Sequence, residues 1–148
     1  LGRGYDGVGI LGEGTGRMEN EIRRHFDEII KTAESTFENV EIEQDFSVRR
    51  ALLKIRGSFG TLNVQITEVI DDDKRKYAYY VLKNDSVVMG FDNAPDIKAL
   101  KIKYGKDFVY RLNERIPHFH GEEKKSTELT KEIGFNEFLE KIKSRIKT

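Results

Sequence analysis

Between Val40 and Phe91 the apolar residues fall at every second position, and the runs are broken only by short clusters of turn-forming residues. Side chains alternate across a strand, so Ala51, Leu53 and Ile55 share one face, as do Leu62, Val64 and Ile66, with Lys54, Arg56, Asn63 and Gln65 opposite. Val40, Ile42 and Phe46 suggest an earlier strand, and 76–83 and 86–91 two later ones. The breaks are Gly57-Ser58-Phe59-Gly60, Asp71-Asp72-Asp73-Lys74 and Asn84-Asp85, the last placed where a tight hairpin wants residues tolerant of positive φ. Strands joined by such short turns can pair only as an antiparallel meander.

Helical periodicity flanks this region. Ile22, Phe26, Ile29, Ile30, Ala33 and Phe37 form one stripe in a helix predicted from Met18 to Asn39, and Ile133, Phe135, Phe138, Leu139, Ile142 and Ile146 form another. The expected fold is α+β: an antiparallel meander sheet of about five to seven strands packed against an N-terminal and a C-terminal helix. A chain of 148 residues fits one domain, assigned to 18–148.

Residues 1–17 are Gly-rich and spell G-x-G-x-x-G twice, at Gly2-Gly4-Gly7 and Gly7-Gly9-Gly12. A dinucleotide site needs a strand before those glycines and a helix directly after them. No residues are available for the strand, so 1–17 reads as a flexible leader or upstream extension.

The charges balance, 26 basic against 26 acidic, which argues against a protein that coats nucleic acid or an anionic membrane with its whole surface. A local basic patch stays open. The absence of cysteine removes disulfides and thiolate chemistry and fits the cytoplasm. No stretch approaches the roughly 20 apolar residues of a membrane span. Abundant Lys, Glu and Ile resemble thermophile composition.

Chemistry-bearing residues concentrate in two short runs, Phe91-Asp92-Asn93-Ala94-Pro95 and Ile116-Pro117-His118-Phe119-His120, which hold both prolines and two of the three histidines. Pro95 biases Ala94 toward extended geometry after Asp92 and Asn93. Both side chains can cap local amides. Alternatively Asp92 acts as a base or orients a histidine, and Asn93 donates to an oxyanion or phosphate. His118 and His120 point to one side of an extended segment. That pair suits acid–base transfer on RNA, a divalent metal with Asp92 as third ligand, or a structural role. The assignment adopted is acid–base, with Asp92, Asn93, His118 and His120 catalytic and no metal or other cofactor.

Between the two runs, Lys98, Lys101, Lys103, Lys106, Arg111 and Arg115 are interleaved with Tyr104, Phe108 and Tyr110. Lys103, Arg111 and Arg115 are candidates to neutralise phosphates, and Tyr104 and Tyr110 to stack bases. The same stretch also reads as two ordinary strands, because Leu100, Ile102 and Tyr104 alternate. His25 reads as a boundary residue, 121–131 as a polar loop, and Asp71–Asp73 as a solvated hairpin tip without the spaced ligands of a calcium loop.

From about Leu52 to Ile146 the chain resembles the TumE family of toxins from toxin–antitoxin pairs. Asp92-Asn93-Ala94-Pro95 matches the family's first motif, and Pro117, His118 and His120 match parts of its second. The strand texture at Tyr77-Ala78-Tyr79-Tyr80 is also similar. Phe91, Asp96, Ile97 and Phe119 depart from the pattern, as in a divergent member. The resemblance implies a cytoplasmic toxin neutralised by a small helix-turn-helix antitoxin; RNA as its target comes from the histidine pair and the basic, aromatic segment. The alternative is a non-enzymatic module of the same fold that binds nucleic acid or protein.

Overall fold

The period-two segments become β1 (Glu38–Phe46), β2 (Arg50–Phe59), β3 (Leu62–Asp71), β4 (Lys74–Lys83) and β5 (Ser86–Asp92) in the computed structural model, which describes residues 12–146. Two short strands, β6 (His118–His120) and β7 (Thr127–Leu129), complete a seven-stranded sheet in sequence order. Every neighbouring pair is antiparallel. The predicted meander is therefore present, at the upper end of its expected strand count.

The β3–β4 and β4–β5 hairpins are closed by the residues expected to close them, whereas the break expected at Gly57-Ser58-Phe59-Gly60 keeps only Gly60, because 57–59 pair within β2. Asn84 and Asp85 adopt φ of 50° and 66°, and Asp72 and Asp73 adopt 49° and 69°, the two positive values that a tight two-residue turn needs to match the twist of its strands. Gly60 takes φ 64° at the first position of the Gly60-Thr61 turn, where no side chain resists it. Asp73→Gly replaces a strained turn residue with the favoured one and removes a carboxylate from an acidic tip. It should raise stability by about 0.5–1 kcal/mol in urea unfolding, the left-handed penalty less the entropy cost of glycine.

One sheet face is apolar and carries the helices. Leu53, Ile55, Val64, Ile66, Tyr79 and Val81 are at most 1% exposed. They form one core with α1 (Gly12–Thr36), through Phe26, Ile29 and Ala33, and with α3 (Phe135–Arg145), through Phe135, Phe138 and Ile142. The Phe138 ring lies 5.2 Å from Tyr79 and meets Phe91 edge-on at 6.2 Å. Each such buried side chain contributes about 1.5–3 kcal/mol, so the two helices are held by their stripes. α1 begins upstream of Met18, the predicted start. The expected leader lies outside the described residues up to position 11 and is helical from Gly12 onward.

The opposite face is open over β2 and β3, where Lys54, Arg56 and Gln65 are exposed. After β5 the chain makes an excursion that returns at β6. It contains α2 (Ile97–Tyr104) and a 3-10 helix (Gly105–Tyr110). The reading of 96–115 as two strands is thereby corrected. Asp96 caps the helix by accepting the Ala99 N–H at 2.9 Å, and Ala99 and Leu100 are buried with Ile116 in a second small core. Ile102, which the alternating reading placed with Leu100, is 55% exposed. The polar loop predicted over 121–131 likewise contains β7.

Candidate functional site

The sheet assembles the site by register. Asp92 stands directly opposite His118, and Gly90 opposite His120, in the β5–β6 ladder. Directly paired residues share a face with Cβ atoms roughly 5 Å apart, and the period of two puts His120 on that same face. Two runs more than twenty residues apart in sequence therefore meet because β6 returns as the neighbour of β5. All three groups are buried, with 8% exposure for Asp92, 1% for His118 and 5% for His120.

The side chains converge on one point. His118 Nε2 lies 3.3 Å from Asp92 Oδ1 and 3.1 Å from His120 Nε2. One ligand atom from each of the three residues lies within 4.8 Å of the other two, close enough to share a single divalent ion. Asp96 adds a fourth group, its Oδ1 at 3.6 Å from His120 Nε2 and 4.0 Å from His118 Nε2.

Outer contacts orient each member. The His118 Nδ1–H donates to the Ile116 carbonyl at 2.6 Å, so in the neutral ring Nε2 carries the lone pair that faces the cluster. His120 Nδ1 is 3.4 Å from Thr127 Oγ1 on β7. Asp92 Oδ1 accepts the Ala94 N–H at 2.9 Å, and Oδ2 accepts the Tyr80 hydroxyl from β4. Burial, then the hydrogen bond and charge of Asp92 and the charge of Asp96, push the Tyr80 phenol well above its ordinary pKa, so it remains a donor. Burial, followed by the neighbouring His118, holds His120 below its ordinary pKa against the opposing pull of Asp96 and Asp92. A neutral imidazole is the form that ligates a metal or accepts a proton.

Asn93 is directed elsewhere. Its Oδ1 accepts the Tyr77 N–H at 3.0 Å and its Nδ2 donates to the Arg75 carbonyl at 3.0 Å, so it extends β4 pairing past the end of β5. Its oxygen also accepts from Arg115 Nη2 at 3.2 Å. The structure thus brings together Asp92, His118 and His120 of the four expected catalytic residues, while Asn93 clamps backbone.

Of the five expected phosphate and base contacts, Lys103, Arg111 and Tyr104 form a group around Glu114, while Arg115 is held by Asn93. Lys103 and Arg111 reach it at 3.4 and 3.6 Å, and the Tyr104 hydroxyl donates to it. That phenol's hydrogen bond, ahead of the two cations, lowers the Glu114 pKa. Tyr110 is 81% exposed, beside half-exposed Val109 and Leu112.

Tyr80, Asp96 and Thr127 are site residues that sequence reasoning missed. Tyr80 was accessible by parity, since residues 78 and 80 must share the face opposite Tyr79. Asp96 was accessible as an N-cap, an Asp after proline ahead of Ile97-Lys98-Ala99-Leu100. Thr127 carried no signal before its strand was known. No protein-family model matches the chain, and no curated protein and no solved structure matches it.

Proposed function

We propose that the chain is the toxin of a toxin–antitoxin pair and cleaves the phosphodiester backbone of RNA at the Asp92–His118–His120 cluster. The observation that carries this reading is the 3.3 Å approach of Asp92 Oδ1 to a His118 Nε2 whose tautomer is set by the Ile116 carbonyl. A carboxylate and an imidazole so placed accept a proton from an attacking hydroxyl or water. The new oxygen–phosphorus bond forms as the bond to the leaving oxygen breaks, and that oxygen takes up a proton from solvent water.

The imidazoles do not stand on opposite sides of a phosphate. Their Nε2 atoms face each other at 3.1 Å, which leaves no room for phosphorus between them. They act in this reading as one proton-accepting unit at the attacking side. Arg115, Lys103 and Arg111 supply positive charge for the backbone, the latter two by exchanging Glu114 for phosphate, and exposed Tyr110 stacks a base. The location that goes with this role is the cytoplasm, and the partner is a small helix-turn-helix antitoxin. Among the described residues, no helix is long and apolar enough to cross a membrane.

Expression of the intact chain should arrest growth, and His118→Ala with His120→Ala should relieve the arrest while circular dichroism still reports the folded domain. Equal toxicity of the folded double variant would sink the assignment. The 81% exposure of Tyr110 within the basic excursion favours one second reading, a module that binds RNA without cleaving it. That reading expects salt-sensitive binding and no shortening of the RNA.

A further inference from the structure

We propose that Asp92, Asp96, His118 and His120 form a tetrahedral site for a divalent transition ion of the zinc class. Zinc–nitrogen and zinc–oxygen bonds of about 2.0–2.2 Å at tetrahedral angles separate neighbouring ligand atoms by about 3.3–3.6 Å. Four of the six ligand–ligand separations are 3.1 Å between the two Nε2 atoms, 3.3 Å from Asp92 to His118, and 3.6 and 4.0 Å from Asp96 to His120 and His118, and Asp92 and His120 lie within 4.8 Å of each other. The four bracket that value.

The supporting contacts match what a metal centre requires. A ligating imidazole donates its other N–H to a carbonyl, carboxylate or hydroxyl, and a ligating carboxylate is itself hydrogen-bonded. His118 Nδ1 has the Ile116 carbonyl, His120 Nδ1 has Thr127 Oγ1, Asp92 has the Tyr80 hydroxyl and the Ala94 amide, and Asp96 has the Ala99 amide. Every polar atom turned away from the cluster is thus engaged. With both rings neutral and protonated at Nδ1, the atoms turned into it are two imidazole nitrogens and two carboxylate oxygens, and such a group of acceptors needs positive charge among them. Two nitrogens in a donor set of four favour zinc, or cobalt in its place, over magnesium and calcium, which take oxygen ligands.

Asp96 is the exchangeable corner. Its side chain is 23% exposed, against 1% for His118 and 6% for His120. An ion enters past it, and a water that displaces it acquires a pKa near 7 from the ion. This last step rests on the proposed RNA cleavage and, with the ion bound, takes the place of direct proton transfer to Asp92 and His118, whose lone pairs the ion then occupies; ion binding itself rests on neither.

The test uses the full chain after chelator treatment, titrated calorimetrically with Zn2+ alone and followed with Co2+ by its visible absorption. One ion per chain and the intense bands of tetrahedral cobalt are expected. His118→Ala should weaken binding by about 100-fold or more, and Asp96→Asn by about 10-fold. Asparagine still caps α2, so Asp96→Asn keeps the test valid if His118→Ala fails to fold. Absence of saturable binding by the folded protein, or unchanged affinity in Asp96→Asn, would overturn the site. One-to-one binding without any RNA cleavage supports the site and counts against the reaction alone.

Discussion

Replacing Glu68 with alanine should lower the stability of the domain by about 3–5 kcal/mol, the range for breaking a buried ion pair by removing one partner. Glu68 is fully buried on the helix-covered face of β3. It accepts the His25 Nε2–H at 2.8 Å, Arg75 Nε and Nη2 at 3.2 and 3.3 Å, and the Tyr79 hydroxyl. Arg75 lies over the Tyr77 ring at 4.4 Å and donates to the Ile133 carbonyl at 2.7 Å, just before α3. One carboxylate therefore ties α1, β3, β4 and the entry to α3. Alanine leaves a guanidinium and a phenol facing an apolar cavity, whereas Glu68→Gln keeps an acceptor and should cost about half as much. Guanidinium unfolding of the three proteins checks the order, and a loss below about 1 kcal/mol for Glu68→Ala would show that the network is dispensable.

The same carboxylate predicts a pH response. Burial pushes the Glu68 carboxyl up, but the His25 hydrogen bond, the charge and hydrogen bond of Arg75, and the Tyr79 phenol more than offset it, leaving its pKa below the ordinary value of 4.5. The folded state then holds this proton less tightly than the unfolded one. Its contribution is complete above about pH 4.5 and disappears as pH falls through the lower folded value. Glu68→Gln, which does not titrate, should show a shallower loss of stability across that acid window.

Glu68 also marks where pattern reading reaches its limit. Its position in the alternation of Leu62, Val64 and Ile66 places it on the buried face, but no local signal shows that Arg75, His25 and Tyr79 surround the charge there. The strand pattern was legible because each run alternates independently of its neighbours, and the turns because Asn84-Asp85 and Gly60 carry their own backbone preferences. The excursion was less legible, since Leu100, Ile102 and Tyr104 satisfy period two while Ala99, Leu100 and Tyr104 satisfy a helix. Only the Asp96 cap discriminates between them. For the site, parity on extended segments places His118 with His120. Their meeting with Asp92 depends on which strand β6 joins, a long-range pairing that no local signal records.

Gly90→Ala tests how tightly that pairing is packed. Gly90 lies between Tyr80 on β4 and His120 on β6, and a Cβ built there falls 2.1 Å from Cδ1 and Cε1 of the Tyr80 ring. Glycine inside a strand commonly marks such a close approach. Here it lets the ring lie flat across the sheet, stacked on His120 at 6.5 Å with Lys124 Nζ 5.1 Å from its centre and its hydroxyl on Asp92. An added methyl must displace the ring or part the strands. Overpacking alone costs about 1–3 kcal/mol, and a displaced ring also leaves Asp92 without its phenolic donor. Tyr80→Ala removes the obstruction, so Gly90→Ala should cost far less in that background, with a coupling of about 1–3 kcal/mol across the four proteins. Additive effects in thermal unfolding would show that the Tyr80 ring does not occupy the space above Gly90, and would remove Tyr80 from the set of groups that orient Asp92.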